Sequence, residues 1–122
     1  DPQAALSRWL PQADAEADAV ILLTNLDFRT AVNLVRAVPG VDLLVAALPG
    51  QLPANVLTVP NTGTLAVTAE QAMARHSGRR VGELVLSLLS DGTLSVHTWR
   101  SVEMGKRFVD HPEMSRLLAG YR

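Results

Sequence analysis

Residues 18–50, DAVILLTNLDFRTAVNLVRAVPGVDLLVAALPG, limit the fold of this chain more than any other stretch. Residues 19–23 form an unbroken apolar run, shorter than an ordinary helix and without the alternation of a half-exposed strand. That pattern predicts a central strand covered on both faces. Asp27 follows as a helix N-cap. Phe28, Ala31, Val32 and Val35 recur at helical spacing, with Arg29, Asn33 and Arg36 on the opposite side, and Pro39-Gly40 stops the helix. Residues 41–45 are a second apolar run. A helix joining two such strands makes them a parallel pair, a βαβ unit. Units of this kind carry their chemistry in the loops at the carboxyl ends of the strands. Here those loops are residues 24–27 and 46–50.

The chain before this unit reads as a helix. Asp1 caps it, Pro2 suits its first position, and Leu6, Trp9, Leu10 and Ala13 fall on one face. Pro11 is expected to end or kink it. A domain that begins on a helix, with no strand before it, looks like a fragment or a cleaved product. Residues 14–18 are acidic and solvated. After Gly50 the character changes to a loop with two prolines and a short strand at 56–59. Asn61-Thr62-Gly63-Thr64 signals a turn, and residues 65–68 a strand. Residues 69–77 are compatible with a short helix or a loop. Residues 80–90 and 93–99 flank Asp91-Gly92, a strong hairpin signal. Asp110 or His111 with Pro112 opens a last helix, whose apolar face is Met114, Leu117, Leu118 and Tyr121. The expected class is α/β: a mixed sheet with a βαβ unit, then an antiparallel hairpin and a C-terminal helix. The 122 residues suffice for one domain, taken as 1–122.

Composition narrows the function. Apolar residues make up 48% of the chain and aromatics only 4%, so the core must be aliphatic. The net charge of -1 shows no basic bias, which argues against a nucleic-acid partner. No apolar run approaches the roughly 20 residues a bilayer span needs, so no membrane span is expected. Cysteine is absent, so neither a disulfide framework nor a thiolate metal site is possible.

Four local words, in order and suitably spaced, resemble the C-terminal half of the calcineurin-like metallophosphoesterase domain of the bacterial 5′-nucleotidase family. Ala17-Asp18-Ala19-Val20-Ile21-Leu22-Leu23-Thr24-Asn25-Leu26 is similar to a strand that in the family ends in Ser-His-Leu. Val38-Pro39-Gly40-Val41-Asp42-Leu43-Leu44-Val45 is similar to the strand leading into Gly-Gly-His-x-His. Gly78-Arg79-Arg80-Val81-Gly82-Glu83-Leu84 resembles a Gly-Arg-Tyr-Val-Gly word that opens a late strand. His111-Pro112-Glu113 and the run to Tyr121 resemble the segment closing the catalytic domain. The resemblance spans nearly the whole chain and implies half of a metallophosphoesterase-like β-sandwich.

The departures from the family pattern carry as much information. The family uses two divalent metal ions, and a metal-bound hydroxide attacks phosphorus. The family's N-terminal half, which supplies Asp-x-His, a bridging Asp and an Asn-His pair, has no counterpart here. The remaining family histidines fall at Asn25, Leu48 and Gly50. Leucine and glycine side chains offer a metal nothing, and an asparagine amide is a weak ligand beside imidazole. The resemblance therefore implies metal-binding loops without their ligands: no catalytic residue, no metal ligand and no cofactor for this chain.

Two sets of polar residues remain as candidates. Asn25 and Asp27 sit where a site would be, as a residual polar or cation site, or as turn and capping residues, which the capping preference favours. Arg75, Arg79 and Arg80 cluster around His76 as a possible anion site for phosphate or carboxylate. A solvated face, or ion pairing with Glu70 or Glu83, is the commoner use of such a cluster. His76, His97 and His111 lack ligand spacing.

Two functional expectations follow. The first is a non-catalytic, degenerate nucleotidase-like domain acting as scaffold or partner contact in a larger protein or assembly. Its helices cover only part of a parallel sheet, so it should meet its missing N-terminal half, or form a homodimer, through an apolar surface. The alternative is a fragment of a metal-dependent phosphoester hydrolase whose N-terminal half is missing here. Relatives by resemblance are commonly periplasmic, surface-attached or secreted, which makes a periplasmic or extracellular location the expectation.

Overall fold

The structure, a computed structural model, describes residues 1–48, 56–68, 80–105, 108–109 and 111–120. The elements run α1 (Pro2–Glu16), β1 (Ile21–Asp27), α2 (Phe28–Ala37), β2 (Leu43–Leu48), β3 (Leu57–Thr58), β4 (Leu65–Thr68), β5 (Arg80–Leu88), β6 (Leu94–Glu103) and α3 (Pro112–Ala119). Four strands form one sheet in the order β1-β2-β4-β3, and β5-β6 form a separate two-stranded sheet. The expected α/β class, with its βαβ unit, antiparallel hairpin and C-terminal helix, is what the chain adopts.

The βαβ unit forms for the reasons its sequence supplies. The Asp27 carboxylate accepts a hydrogen bond from the Thr30 amide at 3.0 Å and caps α2. Phe28, Ala31, Val32 and Val35 are buried. Val38 closes the helix, and Gly40 takes φ +117°, a conformation few other residues adopt. β2 then runs parallel to β1, with Ile21 opposite Leu43 and Leu23 opposite Val45. The Val20 amide donates to the Asp42 carboxylate at 2.7 Å and ties the entrances of the two strands together.

β4 lies parallel to β2 on its other side, and all four of its residues are buried. The short β3 returns antiparallel to β4, as its Asn61-to-Thr64 turn predicts. Asn61 and Gly63 both have positive φ there, and the buried Thr64 hydroxyl donates to the Val41 carbonyl at 2.8 Å. That hydrogen bond satisfies a hydroxyl in the core and fixes the turn against the start of β2.

Alternate residues of the sheet serve two cores. Leu44, Ala46 and Ala66 pack with α2 and with Leu10 of α1. Leu43, Leu65 and Val67 point the other way, toward Leu84, Leu86, Leu94 and Trp99 of the hairpin. The result is three layers: helices, four-stranded sheet, hairpin. The hairpin loop spans residues 89–93, longer than two residues, with Gly92 at φ +82°. The Asp91 carboxylate accepts from the Thr93 amide at 2.9 Å and from the Thr93 hydroxyl at 2.7 Å.

Three sequence expectations need correction. β1 is not a central strand covered on both faces: among the described residues it has a neighbour on one side only, and Ile21 and Leu23 are 56% and 72% exposed. An apolar run without alternation specifies a strand but not its place in the sheet; the strand buried on both faces is β4. α1 does not stop at Pro11 but continues to Glu16. Proline there forfeits one backbone hydrogen bond, and in the segment beyond the Gln12 side-chain amide donates to Glu16 at 2.9 Å. Trp9 does not share the buried face of Leu6, Leu10 and Ala13. It is 58% exposed, with the Arg8 guanidinium 5.2 Å from its ring centre. The apolar face of α3 exists, but Met114, Leu117 and Leu118 are all more than half exposed. Residues 69–77 and Tyr121 lie outside the described residues.

Candidate functional site

The parallel register brings the two loops of the βαβ unit together. At the carboxyl end of β1 the ladder is interrupted between Thr24 and Asp27, and beyond the interruption Asp27 pairs with Leu48, the last residue of β2. The irregularity is local polar chemistry: the Thr24 hydroxyl accepts from the Leu26 amide at 3.1 Å. Asn25 sits within it and is exposed. So Asn25, Asp27 and Leu48 converge at one end of the sheet, and Gly50 lies outside the described residues.

The chemistry offered at this end is limited. Hydrogen bonds from Thr30, its hydroxyl first and its amide second, hold the exposed Asp27 carboxyl below the usual carboxylate range. A carboxylate engaged in capping is ionised at neutral pH but has its geometry set by the helix terminus. Asn25 adds an amide. Leu48 adds no donor atom. Two divalent ions bridged between side chains need several carboxylates and imidazoles converging on one point. The described donors at these strand ends, one amide and one capping carboxylate, do not fit such a centre. No group of three or more His, Asp or Glu with metal-binding geometry occurs among the described residues.

The second candidate set is only partly described. Arg75, Arg79 and His76 lie outside the described residues. Arg80 opens β5 opposite Glu103 of β6. Glu83, a candidate ion-pair partner for the arginine cluster, accepts from Arg100 at 2.7 Å across the hairpin. The Arg100 side chain is largely exposed and that of Glu83 partly so, and the hydrogen bond and charge of Glu83 raise the Arg100 pKa. His97 stands at an irregularity in β6, its Nε2 2.7 Å from the Ser87 hydroxyl on an exposed face. His111 precedes α3 as its N-cap but makes no side-chain capping bond.

One feature escaped the residue-type reading. A cavity of about 550 Å³ opens between the four-stranded sheet and the hairpin, lined by Ile21, Leu43, Val45, Val67, Leu84 and Trp99 among others. Its hairpin wall depends on Gly82. A Cβ at that position would stand 2.4 Å from the end of the Trp99 indole, so only glycine lets the ring lie against the β5 backbone. The available signal was the glycine inside a strand pattern, which marks a bulge or a close approach.

No protein-family model matches the chain, and no curated protein matches it. Among solved structures it is similar to a Staphylococcus aureus protein provisionally assigned as a 5′-nucleotidase, determined in complex with alpha-ketoglutarate. The TM-score is 0.57 at 16% sequence identity, over 97% of this chain and 25% of that one. This chain thus spans about a quarter of the length of the protein it matches. At that identity the likeness is one of fold: the arrangement is nucleotidase-like.

Proposed function

We propose that this chain is a non-catalytic, degenerate metallophosphoesterase-like half-domain that acts as scaffold or partner contact within a larger nucleotidase-like protein or assembly. The observation that carries this reading is Leu48, beside Asp27 at the carboxyl end of β2. The resemblance puts a metal-binding histidine there, and an aliphatic side chain has no lone pair to give. Asn25 and Gly50 are read in the same way, as replacements of two further family histidines. The exposed Ile21 and Leu23 support the contact role, because an apolar edge strand gains from being covered. The partner is the missing N-terminal half or a second copy, in a periplasmic or extracellular setting.

A second reading is favoured by the coverage of the solved nucleotidase-like protein. Three-quarters of a phosphoester hydrolase would then be elsewhere in the polypeptide or on another chain, since this chain matches only 25% of that protein. Metal analysis separates the two. After incubation with zinc or manganese and gel filtration, the chain alone is expected to retain less than one equivalent and to leave p-nitrophenyl phosphate intact. Stoichiometric retention of metal would overturn the first reading in favour of the second.

A further inference from the structure

We draw no further inference here: the strongest candidate, the open apolar cavity between the four-stranded sheet and the β5-β6 hairpin with the exposed Ile21 and Leu23 beside it, carries nothing because nothing in the structure shows what covers it.

Discussion

Single residues give the sharpest tests. Gly82 lets the Trp99 indole lie against β5, and an added methyl group would meet the ring at 2.4 Å. Gly82→Ala must therefore displace Trp99 or bend the strand, which is overpacking and costs roughly 1–3 kcal/mol. Urea unfolding should show the loss, and Trp99 emission should shift red as the ring leaves the hairpin wall. An unchanged midpoint and spectrum would mean the ring has room to spare. Asp27 makes a test in pH. Its folded-state pKa is lowered, chiefly by the Thr30 hydrogen bonds, so its stabilising effect is present above the unfolded carboxylate value and is lost as pH falls through the folded one. Asn also caps helices but does not titrate in this range. Wild type should therefore exceed Asp27→Asn in thermal midpoint at neutral pH, and the difference should shrink on acidification. A difference independent of pH would show that the carboxylate charge contributes nothing.

At the level of elements, Leu23 of β1 and Leu44 of the neighbouring β2 should behave oppositely. Leu44 is fully buried between α2 and its sheet neighbours, whereas Leu23 is 72% exposed on the opposite face. Leu44→Ala should cost about 2–5 kcal/mol by transfer and cavity formation, and Leu23→Ala within about 0.5 kcal/mol in the isolated chain. Chemical denaturation of both variants checks the pair; a large loss from Leu23→Ala would mean its face is already covered. The same pair shows what a sequence can and cannot disclose. α2 was legible because its cap, its 3.6-residue period and its Pro-Gly stop all agree. The hairpin was legible from Asp91-Gly92, although its loop is longer than the shortest turn. The edge position of β1 was not legible, since local pattern reports the apolarity of a strand and not the order of strands. Nor was the continuation of α1 past Pro11, because a local pattern shows the penalty of proline and not the tertiary packing against which it is set. The convergence of Asn25, Asp27 and Leu48 is a product of parallel register, which no local pattern states.

For the whole molecule, the question is what a three-layer body with a bare apolar strand does in solution. Ile21 and Leu23 stand on the hairpin side of the sheet, and Ile21 borders the cavity. The apolar-surface reading predicts association that grows with concentration in sedimentation velocity runs at micromolar levels. Replacing both side chains, Ile21→Lys with Leu23→Lys, should return the chain to a monomer without unfolding it, as circular dichroism would verify. A compact wild-type monomer that binds no apolar dye would count against that reading.

The composition of β1 has one more consequence. Edge strands are ordinarily guarded by a lysine, a proline or a pronounced twist, devices that discourage identical strands from stacking. Residues 20–24, Val-Ile-Leu-Leu-Thr, contain none of the guarding residues. Prolonged storage of the free polypeptide should therefore yield thioflavin-positive fibrils seeded by this segment, and a lysine at position 23 should act as a gatekeeper that delays them.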